Sequence, residues 1–213
     1  MIEIINLTKR FRKNTVLDHV NLTFEDGRIH GLVGRNGSGK TVLMKCVCGL
    51  MQPTDGKILI DGKQIGKDMD FIDQAGVMIE QTGFIRSESG YRNLYRLASI
   101  RNRITADGVK SVLELVGLKD AADKKVKTYS LGMRQRLGIA QAIMEKPQLL
   151  ILDEPFNGLD KKGVADMKRL FLQMKAEGKT ILMASHYHED IDELCDTVTE
   201  LDEGKAYFQV GSN

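Results

Sequence analysis

Eight consecutive residues, Gly34-Arg35-Asn36-Gly37-Ser38-Gly39-Lys40-Thr41, follow the spacing G-x-x-x-x-G-K-[ST]. Glycines at these positions let the backbone curl around an anion with its N–H groups turned inward. A helix starting where the loop ends adds unpaired donors and a favourable dipole. Such a loop binds phosphate. Lys40 is expected to reach the β- and γ-phosphates of a nucleoside triphosphate, and the Thr41 hydroxyl to be a hard oxygen ligand for Mg²⁺. The apolar run Ile29–Val33 precedes the loop, a helical segment ending near Leu50 follows it, and Val42 beside Thr41 is expected to bind the nucleotide with the loop. Strand before and helix after are what separate a phosphate loop from a chance glycine-rich turn.

A second cluster lies where Leu149-Leu150-Ile151-Leu152 runs into Asp153-Glu154-Pro155. Carboxylates at the end of a buried strand are costly to desolvate unless a cation or hydrogen bonds compensate, and strand ends of open α/β sheets line the ligand crevice. Asp153 is expected to hold Mg²⁺ through water, and Glu154 to polarise the attacking water as general base. An acidic helix cap is the purely structural alternative. The third cluster is Ser130-Leu131-Gly132-Met133-Arg134-Gln135-Arg136, ahead of the helix-favouring Leu137–Ile143. A Ser and a Gly at a helix N-terminus make a second anion-binding cap. One nucleotide does not obviously need two such loops from one chain.

These residues need elements to carry them. Leu149–Leu152 and Thr180–Ala184 are continuous apolar runs, the pattern of strands covered on both faces in a parallel sheet. Each is followed by helical spacing: Val164, Met167, Leu170, Phe171 and Met174 on one face, then Ile191, Leu194 and Cys195 on another. Strand-then-helix alternation predicts an α/β fold around a parallel sheet. Three Asp-Gly or Glu-Gly turns predict antiparallel hairpins: Val20–Phe24 with Ile29–Val33, Lys57–Ile60 with Gln64–Ile65, and Val198–Leu201 with Lys205–Gln209. Residues 85–146 lack strand-like runs and carry helical spacing (Val109, Val112, Leu113, Val116), so they read as a helical insertion.

Composition narrows the classes further. The formal net charge of +2 leaves no nucleic-acid footprint. No apolar run approaches the roughly 20 residues that cross a bilayer, and the N-terminus lacks a signal-peptide core, so a cytosolic chain is expected. Cys46, Cys48 and Cys195 are expected to be packed, reduced thiols.

The ordered set of motifs closely resembles the ATP-binding-cassette (ABC) ATPases across essentially the whole chain. The resemblance implies a P-loop NTPase core with a parallel sheet, an N-terminal antiparallel β subdomain and the inserted helical subdomain, all within one nucleotide-binding domain over 1–213. It implies an ATPase that uses ATP and Mg²⁺ and works as a head-to-tail homodimer. Ser130 and Gly132 of one copy would then complete the phosphate-loop site of the other. It also implies separate membrane-spanning permease subunits, with this chain peripheral on the inner face of the membrane. Read against the family, Phe11 falls at the adenine-stacking position, Asp160 in the loop that crosses to the other copy, and His186 at the γ-phosphate switch. Packing is the structural alternative for Phe11, and capping or packing for His186. His188 and the basic cluster Lys9-Arg10-Phe11-Arg12-Lys13 read as solvated surface.

Two positions depart from the family pattern. Leu-Ser-Gly-Gly-Gln is replaced by Tyr129-Ser130-Leu131-Gly132-Met133, with the phosphate-facing Ser130 and Gly132 retained. Where a glutamine is usual, alignment of Gly76-Val77-Met78-Ile79 places Glu80, with Gln81 its rival; a carboxylate accepts from a metal-bound water but cannot donate as an amide does. These departures resemble the bacterial subgroup of peptide-antibiotic and bacteriocin exporters or self-protection transporters. A soluble ABC-type ATPase remodelling ribosomes or DNA is the competing class. It tends to carry two cassettes or a long coiled-coil insertion, and this chain has neither. A generic P-loop kinase or GTPase leaves the Ser130 loop unexplained.

Overall fold

A computed structural model describes residues 1–80, 83–186 and 188–210. In chain order they form β1 (Ile2–Phe11), β2 (Asn14–Phe24), β3 (Ile29–Val33), α1 (Lys40–Val47), β4 (Asp55–Ile60), β5 (Lys63–Gln64), β6 (Ala75–Met78), α2 (Gly90–Arg101), α3 (Ala106–Leu115), α4 (Leu131–Ile143), β7 (Leu149–Asp153), α5 (Lys161–Ala176), β8 (Thr180–Ser185), α6 (His188–Asp192), β9 (Thr197–Asp202) and β10 (Lys205–Val210). An antiparallel sheet has the order β2-β1-β4-β5, and a six-stranded sheet the order β10-β9-β3-β8-β7-β6. In the larger sheet β3 pairs in parallel with β8 and β9, β7 in parallel with β6 and β8, and only β10 runs antiparallel.

Strand residues point alternately to the two faces of a sheet, and here they divide the core in two. Ile29, Val33, Leu150, Leu152, Ile181 and Met183 join the cluster that also takes α2 to α5. Leu32, Ile151, Leu182 and Ala184, from the same strands, join the cluster built with α1 and the antiparallel sheet. Both faces of β3, β7 and β8 are therefore covered, which is why their sequences are continuously apolar.

The expected hairpin between Val20–Phe24 and Ile29–Val33 does not form. Gly27 turns the chain with φ +71, yet β2 pairs with β1, and β3 pairs with β8 and β9 in the other sheet. Burial explains the outcome. Every residue of β3 is buried, whereas β2 alternates towards its C-terminus as a strand with one wet face does. The other two hairpins form, with Ile60 opposite Lys63 and Asp202 opposite Lys205.

Between β6 and β7 the chain is helical, as residues 85–146 suggested, with two short 3₁₀ turns at Lys119–Ala121 and Val126–Thr128. Hydroxyl caps start each helix: Ser89 accepts from the Arg92 N–H, Thr105 from Gly108 and Ser130 from Met133. Val109 and Leu113 of α3 pack into the same cluster as Leu137, Ile139 and Ile143 of α4. All three cysteines are free and buried. Burial pushes the Cys46 thiol up to about 11 and Cys48 to about 12, so both stay protonated and inert at neutral pH.

Candidate nucleotide-binding site

The loop from Gly34 to Gly39 joins the end of β3 to the start of α1. Its turns need conformations that side chains resist: φ is +146 at Gly34, +85 at Gly37 and +107 at Gly39. A Cβ at Gly34 would also lie 2.2 Å from the Leu201 carbonyl oxygen and 2.8 Å from Ser38 Oγ, so only glycine lets the loop start here. Lys40 is buried, and its Nζ donates to the Gly34 carbonyl at 2.6 Å and the Arg35 carbonyl at 3.2 Å. Burial lowers its pKa, while Glu154 and Asp153 nearby favour the charged form.

Thr41 Oγ1 donates to Asp153 Oδ2 at 2.6 Å, joining the first turn of α1 to the end of β7. Burial raises the Asp153 pKa, an effect that the Thr41 bond opposes and the Glu154 charge reinforces. Two buried atoms beside this loop, Ser38 Oγ and Asp153 Oδ1, have no hydrogen-bond partner among the described residues. Orphaned oxygens facing a phosphate cradle fit a hydrated Mg²⁺ bound with its nucleotide. Among the described residues no group of three or more His, Cys, Asp or Glu is placed to hold a metal. Thr41 and Asp153 would thus share the ion with water and phosphate oxygens.

The next residue, Glu154, has φ +51, a strained conformation worth about 1–3 kcal/mol that the surroundings must impose. Its N–H donates to the Ala184 carbonyl at 2.9 Å, continuing the β7–β8 pairing in which Asp153 lies opposite Ala184. Glu154 and His186 therefore leave neighbouring strands at the same end, and Glu154 Oε1 lies 2.8 Å from His186 Nδ1. On its other side the Glu154 carbonyl accepts from Gln135 Nε2 of α4 at 2.7 Å.

Glu80 follows β6 with φ +59, and its carboxylate accepts from Lys45 Nζ of α1 at 2.6 Å. Gln81 lies outside the described residues, as does the His188 side chain. Two cavities meet at the acidic pair. One of about 340 Å³ is lined by Asn36, Gly37, Gly39, Lys40, Thr41 and Val42 with Asp153 and Glu154. The other, about 290 Å³, takes Glu80, Leu131, Arg134 and Gln135 with the same two carboxylates.

The remaining expected residues stand apart. Ser130 is exposed, and its Oγ accepts from the Met133 N–H at 3.2 Å. Gly132 packs so close to the Gly158 carbonyl that a Cβ would lie 2.8 Å from that oxygen. Neither residue lines either cavity. Asp160 caps α5, its Oδ1 accepting from the Gly163 N–H at 2.8 Å, and is itself exposed. Phe11 closes β1 with 43% of its surface exposed and Lys9 Nζ 5.1 Å from its ring centroid, so it is not a core residue. The sequence alone marks neither Lys45 nor Gln135 as a site residue. Gln135 stood within the Ser130 motif, whereas nothing in the local sequence marks Lys45.

The chain is similar in sequence and in fold to known proteins. A family model described as ABC transporter matches residues 17–157. YybJ of Bacillus subtilis (strain 168), an uncharacterized ABC transporter ATP-binding protein, is 45% identical over 205 residues, covering 96% of this chain and 94% of its own. BcrA of Enterococcus faecalis, a bacitracin transport ATP-binding protein, is 42% identical over 212 residues, covering 99% of this chain and 69% of its own. In fold the chain matches the dimeric structure of MJ0796, a bacterial ABC transporter cassette, with a TM-score of 0.91, 22% identity and full coverage of both chains. The chain belongs to the ABC transporter family, as an ATP-binding subunit and ABC-type ATPase.

Proposed function

We propose that two copies of this chain, each one cassette over 1–213 with residues 85–146 as its helical subdomain, close head to tail around two ATP molecules. The observation that carries this reading is that one chain presents two anion-binding helix starts, at Lys40 and at Leu131. The Gly34–Thr41 loop shares a cavity with Asp153 and Glu154, whereas Ser130 is exposed at the start of α4 and Gly132 beside it lines neither cavity. A second copy facing the opposite way supplies each loop with what its own chain lacks. Asp160 then lies in the crossing loop, and Phe11 offers its exposed ring to adenine.

Within a site, Lys40 and the loop N–H groups bind the phosphates, and Thr41 and Asp153, with Glu80 through a metal-bound water, would hold Mg²⁺. The ion, when bound, would neutralise charge developing on the transferring phosphoryl group. Glu154 takes a proton from the attacking water, and His186, next to the Glu154 carboxylate, orients it and contacts the γ-phosphate. Closure is a population shift that ATP drives by binding the closed dimer more tightly.

No described helix is long and apolar enough to cross a membrane. Membership of the ABC transporter family supports separate permease subunits that form the path, with this chain at the inner membrane face. Glu80 to Leu97 is the region that meets them. The likeness to BcrA and the Glu80 and Ser130 motifs support a peptide-antibiotic class of cargo, moved outward. Sedimentation of Glu154→Gln with MgATP tests the core of this reading. An ATP-dependent dimer with turnover abolished is expected; a monomer at saturating MgATP, or unchanged turnover, overturns it.

A further inference from the structure

The strained backbone of Glu154 is held from two sides. From β8, the Ala184 carbonyl accepts its N–H at 2.9 Å. From α4, Gln135 Nε2 reaches its carbonyl at 2.7 Å, alongside a weaker bond from the Asn157 N–H at 3.2 Å. A residue with φ +51 that is not glycine keeps that conformation only while its neighbours enforce it. Of these bonds, the one from Gln135 comes from a helix. It also stands five residues after Ser130 on α4, so the cap that would face a partner's nucleotide and the amide that grips Glu154 belong to one rigid element.

We propose that Gln135 is a positioning residue for hydrolysis. By clamping the Glu154 carbonyl it fixes the turn that aims the carboxylate, and it transmits the seating of α4 to that carboxylate. The Gln135 amide is spent on the Glu154 main chain and Gln135 is absent from the cavity of the phosphate loop, so its loss should leave ATP binding intact and slow the chemical step. This inference rests on the assignment of Glu154 as general base.

Four variants test it in the full chain: Gln135→Leu, Gln135→Glu, Gln135→Lys and Glu154→Gln. Leu removes the amide. Glu keeps the size but presents acceptors to a carbonyl, and Lys keeps a donor of similar reach. Small displacements of a catalytic group can cost up to about 100-fold in rate, so Gln135→Leu and Gln135→Glu should lower kcat at least about tenfold. KM for ATP and nucleotide affinity, read by fluorescent ATP binding, should stay within about twofold, and Gln135→Lys should recover most of kcat. Wild-type kcat in both Gln135→Leu and Gln135→Glu overturns the proposal. So does a parallel loss of ATP affinity in Gln135→Glu, which would mean that the residue serves the fold of α4 generally. If Glu154→Gln itself retains turnover, the assignment of the base fails, whatever Gln135 does.

Discussion

Glu154 Oε1 lies 2.8 Å from His186 Nδ1, although 32 positions separate them in sequence (186 minus 154). The parallel pairing of β7 with β8 brings them together, because Asp153 and Ala184 are opposite one another and each strand then releases its polar residue at the same edge. A carboxylate oriented by a neighbouring imidazole is the arrangement expected of a base that must face one water. Replacing His186 with Ala should lower kcat at least about tenfold while leaving ATP affinity within about twofold. Steady-state ATPase assays with fluorescent nucleotide binding check this, and an equal loss in both would instead mark a binding residue.

The Thr41–Asp153 bond predicts opposite effects on stability with and without nucleotide. Burial raises the Asp153 pKa, so its charged form weakens the folded state at pH values above that raised pKa. Asp153→Asn keeps an acceptor for Thr41 and removes the charge. The variant should melt at the same temperature as the native chain or higher without nucleotide, and should lose most of the stabilisation that MgATP confers. Thermal scans with and without MgATP read both signs; an unchanged MgATP shift would remove Asp153 from the metal site.

Gly34→Ala should damage both fold and site. The new Cβ meets the Leu201 carbonyl at 2.2 Å and needs φ +146, so about 1–3 kcal/mol of strain falls on the start of the phosphate loop. Urea unfolding should show the loss of stability, and nucleotide binding should weaken with it. Native stability in this variant would contradict the close approach of β9.

His30 on β3 gives a pH dependence of defined sign. It is buried, with Nε2 donating to the Glu25 carbonyl at 2.8 Å and Nδ1 2.7 Å from the Thr197 hydroxyl, which donates to it when the ring is neutral. Burial lowers its pKa below 6.5, so the unfolded chain takes up the proton first. Stability contributed by the neutral ring is complete above 6.5 and is lost as pH falls through that value towards the lowered one. Urea denaturation from about pH 8 to pH 5 should show a decline that His30→Gln lacks. Equal declines in both would assign the effect to other groups.

The parts of the molecule readable from sequence are those where one local pattern has one physical meaning. Continuous apolar runs at Leu149–Leu152 and Thr180–Ala184 can only be strands covered on both faces once helices follow them, and Gly34–Thr41 specifies its own backbone. The Asp26-Gly27 turn misled because a local turn signal does not say which sheet the following strand enters. That choice lies with Thr180–Ser185 and Thr197–Asp202, which are far away in sequence. β1 passed unnoticed because its alternation breaks at Asn6, where φ is +49 and its register with β2 shifts. The grip of Gln135 on Glu154 was hidden for a different reason: a polar residue on a helix names no partner until packing brings a carbonyl within reach.

In the proposed dimer each nucleotide site is built from two copies of the chain. In a Glu154→Gln background, Asn36→Cys chains mixed with Ser130→Cys chains test it directly, since Asn36 and Ser130 are both exposed and the native Cys46, Cys48 and Cys195 are buried. Mild oxidation with MgATP should give a disulfide-linked dimer in the mixture, absent without nucleotide and absent from either variant alone. No cross-link in the mixture at saturating MgATP, or a cross-link confined within single chains of a double variant, would contradict the account.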